Sequence, residues 1–151
     1  MIDTALLSLD QPDKLADPPP PLVLAVDDDE DILELVALTL RREGCEVIKA
    51  RDGEEALRLA RARKPDLIVL DVMLPGRDGY QVVQELRRDD DTMLVPVILL
   101  SARAGRADAN YGRQVGADDY IQKPFDSIVF VERVRALLRR PKPAASGKDG
   151  R

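Results

Sequence analysis

Histidine is missing altogether from this chain of 151 residues, and cysteine occurs only once. Without an imidazole, the chain cannot perform serine–histidine or cysteine–histidine catalysis, and it cannot carry a phosphohistidine of its own. The lone Cys45 excludes an internal disulfide and any metal site built from several cysteines. Its place at the start of a short apolar run favours ordinary core packing.

Long apolar runs and basic blocks are absent too. No stretch approaches the roughly 18 apolar residues that a membrane-spanning helix needs, and the acidic N-terminus lacks the cationic segment of a secretory signal. The net charge is −5 and no basic block is longer than a residue pair, which argues against nucleic acid as a direct partner. We therefore expect a cytoplasmic protein.

Polar and proline-rich segments flank a central region of globular composition. Residues 1–21 end in ADPPPP, which predicts a flexible Pro-rich arm. Residues 141–151 read PKPAASGKDGR, which predicts a disordered tail. The whole chain is 44% apolar and 34% charged, so residues 22–140 can form one soluble domain with a hydrophobic core.

Apolar runs and helical patterns alternate through residues 22–140. The runs that read as strands are 22–26, 45–49, 67–70, 96–100 and a short 119–122. Helical patterns cover 30–43, 53–63, 79–88, 106–115 and 126–139. This alternation implies crossover connections and a parallel sheet with helices on both faces, an α/β doubly wound fold. Strands buried on both sides explain the continuous apolar runs.

Polar side chains follow four of these strands at their carboxyl ends, where ligands gather in such sheets. Asp27 and Asp28 follow the first strand, Asp71 the third, Ser101 the fourth and Lys123 the fifth. Clustered carboxylates raise one another's pKa unless a cation neutralises them, and Mg²⁺ prefers such oxygen ligands. A carboxylate can attack phosphorus, while an ammonium and a hydroxyl suit a new phosphoryl group.

Each of these residues also has a purely structural interpretation. Asp27 or Asp28 could cap a helix, and Asp71 could belong to the turn that follows it. Ser101 could cap the next helix, and Lys123 could be a solvated loop residue. Their joint occurrence at four strand ends favours a common site.

Four blocks, in order along the chain, resemble the signature blocks of the response-regulator receiver domain of two-component systems. They read LVLAVDDDEDILELVALTLRREG, PDLIVLDVMLPGRDGYQVVQELR, PVILLSARAG and GADDYIQKPF, and they span about residues 22–140. The resemblance implies a flavodoxin-like receiver fold with five parallel strands in the order 2-1-3-4-5 and five helices. It also implies a phosphoryl group passed from a histidine kinase or phosphotransfer protein to an aspartate. Such a chain is a switch that assists its own phosphorylation and dephosphorylation, and we do not expect a separate enzyme activity.

The resemblance assigns roles at the acidic cluster. Asp71 resembles the phosphoacceptor, and Asp27 with Asp28 resembles the acidic pair. Asp28 would bind Mg²⁺ (or Mn²⁺) directly and Asp27 through water, with Asp71 and the backbone carbonyl of Met73 completing the site. The neighbouring Asp29 leaves a one-residue ambiguity in the pair, and the end of the apolar run at residue 26 favours Asp27–Asp28.

Three further residues resemble the switch of the family. Ser101 stands at the switch serine or threonine, Lys123 at the lysine before Pro124, and Tyr120 at the switch aromatic. We expect phosphorylation of Asp71 to draw Ser101 and Lys123 toward the phosphoryl group and to open space for Tyr120. The balance between the inactive and active conformations would then shift on the face made by the fourth helix, fifth strand and fifth helix.

The same face is expected to bind a downstream protein or a second copy of the chain. Asp119 and Arg133 stand where relatives with winged-helix domains carry one charged pair that joins two receivers, whereas Val129 replaces a charge of another pair. Val129 and part of Ile128 should be exposed beside the apolar stripe of the last helix. That stripe should face the sheet: Phe130, Val134, Leu137 and Leu138.

Other functions fit the sequence less well. A haloacid-dehalogenase-type aspartyl-phosphate hydrolase wants a second acid two residues after the nucleophile, where this chain has Met73. A nucleotide switch wants a glycine-rich phosphate loop after the first strand, and none is present. A receiver that only binds partners without phosphorylation would not need the full acidic set. Only eleven residues follow Arg140, so the chain is either a stand-alone receiver or a fragment of a longer DNA-binding regulator.

Overall fold

The computed structural model describes residues 18–102 and 105–141, in which five strands alternate with five helices. The strands are β1 (Leu22–Val26), β2 (Glu46–Ala50), β3 (Leu67–Asp71), β4 (Val97–Ser101) and β5 (Asp119–Gln122). The helices are α1 (Glu30–Arg42), α2 (Gly53–Arg63), α3 (Gly79–Arg88), α4 (Arg106–Val115) and α5 (Ser127–Arg139). Every predicted element is confirmed, with boundaries that differ by at most one residue.

All five strands are parallel and lie in the order β2-β1-β3-β4-β5. The predicted doubly wound α/β fold is therefore confirmed. The register pairs Val26 with Leu70 and Asp71 with Leu100, so neighbouring strands end at nearly the same level. Because parallel strands place their carboxyl ends on one side, the residues that follow them share one edge of the sheet.

Each face of the sheet has its own hydrophobic core, since successive side chains of a strand point to opposite faces. In β3, Ile68 packs under α2 and α3, whereas Val69 packs under α1 and α5. β3 and β4 are buried along their whole length, which is why their sequences show no polar alternation. Cys45 lies in the α1/α5 core at 7% exposure, as predicted.

Helix α5 buries the stripe predicted from its sequence. Phe130 and Val134 are fully buried, and Leu137 and Leu138 pack half-buried against the same core. Ile128 is 70% exposed and Val129 is 38% exposed, so both lie on the solvent side of the stripe as expected. Helix α5 thus has a core-facing surface and, beside it in the first turn, an apolar surface that is open to solvent.

The expected N-terminal arm and C-terminal tail fall mainly outside the described residues, which omit 1–17 and 142–151. Of the arm, Pro21 is fixed next to the sheet, since its carbonyl accepts a hydrogen bond from the Glu46 N–H at 2.8 Å. Across the described ranges, no helix combines the length and apolarity needed to cross a bilayer.

Candidate functional site

The carboxyl edge of the sheet brings together the three aspartates that follow β1 and end β3. One carboxylate oxygen from each of Asp27, Asp28 and Asp71 lies within 4.8 Å of the other two. Asp27 and Asp71 are buried at 3% exposure each, whereas Asp28 is open to solvent. The cluster therefore has two fixed, desolvated carboxylates and one at its mouth.

Lys123 joins the two buried carboxylates. Its Nζ lies 3.0 Å from Asp27 Oδ2 and 2.9 Å from Asp71 Oδ1, and its side chain is only 15% exposed. The loop after β5 delivers this lysine, and the backbone N–H of Lys123 donates to the Ser101 carbonyl at 2.7 Å. A residue far away in sequence thus supplies the counter-charge of the cluster.

Burial and charge shift the pKa values of this pair. Burial raises the pKa of Asp71 above its ordinary value, and repulsion from Asp27 adds to this, although the hydrogen bond from Lys123 acts the other way. Burial alone would lower the pKa of Lys123, but its hydrogen bonds and charge attraction to Asp71 and Asp27 outweigh that effect and raise it. Lys123 is therefore firmly protonated at neutral pH beside a carboxylate whose ionisation is costly.

Asp29 has a structural role at the start of α1. Its side chain accepts hydrogen bonds from the N–H groups of Asp31 (2.9 Å) and Ile32 (3.2 Å), so Asp29 is the N-cap. The alternative that Asp27 or Asp28 caps this helix is therefore wrong. Asp29 instead donates its N–H to Asp27 Oδ1 at 2.9 Å, which helps to fix the buried carboxylate.

Ser101 and Met73 belong to segments next to Asp71: Leu100, the residue before Ser101, pairs with Asp71, and Met73 follows Asp71 by two residues. Ser101 ends β4 and is completely buried. The N–H of Met73 donates to the Asp71 carboxylate, while the Met73 side chain is 55% exposed. Met73 therefore presents its backbone, and not its side chain, to the cluster.

The sequence did not reveal how closely α3 approaches the phosphoacceptor candidate. A Cβ on Gly79 would lie 2.6 Å from the Asp71 carbonyl oxygen and 2.8 Å from Val72 Cα, so no larger residue fits there. The Gly79 N–H donates to the Val72 carbonyl at 2.7 Å, and Asp78 and Gln81 form a capping box around the helix start. In the sequence, the only hint of this contact was the pair Asp78-Gly79, which follows the turn at Pro75-Gly76.

The expected output face is partly paired within the chain. Arg133 Nη1 lies 2.7 Å from Asp119 Oδ1, so these two residues already form a salt bridge across β5 and α5. Tyr120 is half-buried, and its hydroxyl lies 3.5 Å from the hydroxyl of Tyr80. Val129 lies one helical turn before Arg133 on α5 and is partly exposed.

The donor set fits a hard divalent cation. Among the described residues, three carboxylates face one ammonium, so negative charge remains to be compensated at the cluster. All the available donors are oxygens, and a solvent-facing side is left for water, as Mg²⁺ prefers.

Known sequences similar to this chain belong to a family of receiver domains. A family model described as the response regulator receiver domain matches residues 23–135. The chain is 46% identical over 127 residues to the alkaline phosphatase synthesis transcriptional regulatory protein PhoP of Bacillus subtilis, covering 84% of this chain and 52% of that protein. It is 48% identical over 120 residues to the DNA-binding dual master transcriptional regulator RpaA of Synechocystis, covering 80% and 50%. The chain thus spans about half the length of these curated relatives.

Solved structures show the same similarity. A putative response regulator from Chloroflexus aurantiacus superposes with a TM-score of 0.77 at 39% identity, covering 80% of this chain and 99% of that one. The BeF3-activated N-terminal receiver domain of Klebsiella pneumoniae RstA gives a TM-score of 0.74 at 31% identity, covering 79% and 99%.

Proposed function

The chain belongs to the response regulator receiver domain family, and from that membership we propose that it is a signalling switch in which Asp71 accepts a phosphoryl group. One observation carries the residue assignment: Asp71 is buried at the end of β3 with Lys123 Nζ at 2.9 Å and two further carboxylates beside it. A turn residue would need neither the burial nor the paired cation.

The transfer step follows from this arrangement. A carboxylate oxygen of Asp71 attacks phosphorus and forms the new O–P bond, while the bond from phosphorus to the donor breaks and its electron pair stays with the donor. The donor group lies outside this chain, which contains no histidine; it would be the phosphohistidine of a sensor kinase or phosphotransfer protein, or a small acyl phosphate. Lys123 needs no large movement, because it already touches Asp71. It would stabilise charge on the transferred group.

We propose Mg²⁺, or Mn²⁺ in its place, as the cofactor. Asp28, Asp71 and the backbone carbonyl of Met73 would hold the ion directly, and Asp27 would act through water. Bound there, the ion would neutralise charge on the attacking and transferring oxygens. Asp27 is committed to Lys123 and to the Asp29 N–H, which suits an indirect role.

The output would pass through the surface of α4, β5 and α5. Phosphorylation adds roughly one to two negative charges and new acceptor oxygens, which would attract Ser101 and Lys123. The surface of Tyr120, Val129 and Arg133 would then bind a downstream protein or a second copy of the chain. We expect no direct contact of the receiver with nucleic acid or membrane, and a cytoplasmic location.

A second candidate is the receiver of a longer DNA-binding regulator. The similarity to PhoP and RpaA, which are named transcriptional regulators and are about twice as long, favours this possibility. In that case the same phosphoacceptor would control an attached domain. The phosphorylation chemistry is common to both candidates.

The test is phosphorylation by acetyl phosphate, measured as intact mass. With Mg²⁺, the chain should gain one phosphoryl group, and Asp71→Asn should gain none. Chelation of the metal should also prevent the gain. The matched control is Asp91→Asn, which removes an exposed carboxylate far from the cluster and should react like the wild type. Full incorporation into Asp71→Asn would show that the assignment is wrong, and no incorporation into the wild type would leave a non-phosphorylated binding module.

A further inference from the structure

All three tyrosines of the chain meet beside α4. The rings of Tyr80 and Tyr111 contact edge to face with centroids 4.7 Å apart. The hydroxyls of Tyr80 and Tyr120 lie 3.5 Å apart, and the Tyr80 hydroxyl donates to the Asp108 carbonyl in the first turn of α4 at 3.4 Å. Tyr80 is the buried member at 8% exposure, whereas Tyr111 is 45% exposed. Tyr80 therefore connects α3, α4 and β5 through one side chain.

The backbone of Tyr80 is tied to the phosphoacceptor strand. Gly79, the residue before it, donates its N–H to Val72, which follows Asp71. Gly79 also lies so close to the Asp71 carbonyl that no Cβ fits between them. These two contacts give a direct route by which a movement of the backbone at Asp71 would reach the start of α3 and the Tyr80 ring.

The position of Tyr120 depends on α4. A Cβ on Gly112 would lie 3.0 Å from Tyr120 Cδ2 and 3.2 Å from Leu99 Cδ1, so the missing side chain at residue 112 makes room for the Tyr120 ring. The ring is held by this contact at one end and by the Tyr80 hydroxyl at the other. Packing alone would be served by phenylalanine at residue 80; the hydroxyl adds a directional contact.

We propose that Tyr80 is a positioning residue that holds Tyr120 against α4 and couples this position to the backbone of Asp71. The inference rests on the proposed function, in which Asp71 is the phosphoacceptor and Tyr120 the switch aromatic. The proposed switch links Asp71 to Tyr120 through Ser101 and the β4–α4 loop. Tyr80 would add a second link between the same two residues, through α3. In this structure, Tyr120 packs against α4 at Gly112, and its contact with the Tyr80 hydroxyl supplies a reason.

Fluorine NMR of the full chain with 3-fluorotyrosine tests the role of the hydroxyl. The protein should give three resonances, one for each tyrosine, which single Tyr→Phe substitutions assign. In Tyr80→Phe, the Tyr120 resonance should move toward the solvent-exposed position and gain a larger H₂O/D₂O shift. The ratio of packed to exposed Tyr120 should fall about twofold, because the two hydroxyls lie 3.5 Å apart and so long a hydrogen bond is at the weak end of the range. Tyr111→Phe is the matched control and should leave the Tyr120 resonance in place.

A second variant separates the hydroxyl from simple packing. Gly112→Ala should displace Tyr120 because the added Cβ occupies the position of its ring. If Gly112→Ala displaces Tyr120 and Tyr80→Phe does not, packing alone holds the ring and the proposal is overturned. It is equally overturned if neither substitution changes the Tyr120 resonance.

Phosphorylation gives a readout that a purely structural role would not affect. Tyr80→Phe should incorporate phosphoryl at Asp71 as the wild type does, but the phosphorylation-induced shift of the Tyr120 resonance should be smaller. An unreduced shift would contradict the coupling. If even the wild type takes up no phosphoryl group, the proposed function fails, while the spectra of the unphosphorylated variants still decide whether Tyr80 positions Tyr120.

Discussion

Replacing Lys123 with methionine would remove the cation that bridges the two buried carboxylates. Methionine keeps much of the length and apolar volume of the side chain, so the main change is the loss of the ammonium. Asp27 and Asp71 would then face each other without their counter-charge, with side chains only 4% and 5% exposed. We expect a large loss of stability when no divalent cation is present.

The size of this loss is set by the cost of an unpaired buried charge and by the cost of protonating Asp71 instead. Removing one partner of a buried ion pair costs about 3–5 kcal/mol when the other charge stays in place. The variant can reduce this cost by protonating Asp71. From the ordinary pKa of 3.8, protonation at pH 7 costs about 4 kcal/mol at most, and burial has already raised the pKa of this group. We therefore expect Lys123→Met to lower the free energy of unfolding by about 2–4 kcal/mol at pH 7.

Urea denaturation followed by far-ultraviolet circular dichroism measures this loss, since the chain has no tryptophan for fluorescence. The matched control is Lys64→Met, because Lys64 and Asp91 form an exposed pair at 3.6 Å that should contribute less than about 1 kcal/mol. Mg²⁺ at 100 times its dissociation constant should restore about 2.7 kcal/mol to the Lys123 variant. A loss below 1 kcal/mol that Mg²⁺ does not alter would refute the electrostatic account of the cluster.

Three further outcomes follow from the same cluster and the output face. In a Mg²⁺ titration, Asp28→Ala should weaken binding more than Asp29→Ala does. Asp29→Ala should instead lower the free energy of unfolding by about 0.5–2 kcal/mol, because it removes the N-cap of α1. The reverse ranking in the titration would mean that the acidic pair is Asp28 and Asp29. Because the pKa of Asp71 is raised on folding, the folded chain holds this proton more tightly, and stability is lost as the pH rises from 3.8 through the folded pKa. Asp71→Asn should therefore be more stable than the wild type in urea at neutral pH, with an advantage that shrinks toward pH 3.8; an advantage independent of pH would contradict this. Val129→Glu should weaken self-association or partner pull-down of the phosphorylated chain without affecting phosphorylation of Asp71, and unchanged sedimentation and pull-down would exclude this face as the output surface.

Local sequence patterns were sufficient to predict the elements and the α/β class of the fold, whereas the strand order 2-1-3-4-5 was implied by the resemblance to receiver domains. Apolar runs of four or five residues, separated by helical periodicity, predicted every strand and helix to within one residue. These patterns are local consequences of burial, so they can be read without knowledge of the distant contacts. The buried stripe of α5 and the exposure of Val129 followed from the same periodicity.

The acidic cluster was predictable for a topological reason. Parallel strands bring their carboxyl ends to one edge, so residues that follow adjacent strands, such as β1 and β3, lie close together. The sequence therefore predicted that Asp71, the acids after β1 and Lys123 would gather. It offered Asp27 or Asp28 as the possible cap of α1, and this was wrong because the choice among consecutive aspartates depends on backbone angles at one turn. The structure assigns the cap to Asp29.

Side-chain contacts between different helices and strands were decided only by the tertiary structure. The contact of Tyr80 with Tyr120 depends on the packing of α3 against α4 and on the room left at Gly112. The salt bridge from Arg133 to Asp119 likewise depends on how α5 crosses β5. Periodicity determines which face of an element is buried. It therefore predicts that a parallel sheet forms and that polar residues follow its strands. Distances of a few ångströms between side chains of different elements depend on strand register, helix position and side-chain rotamer together, which only the folded chain establishes.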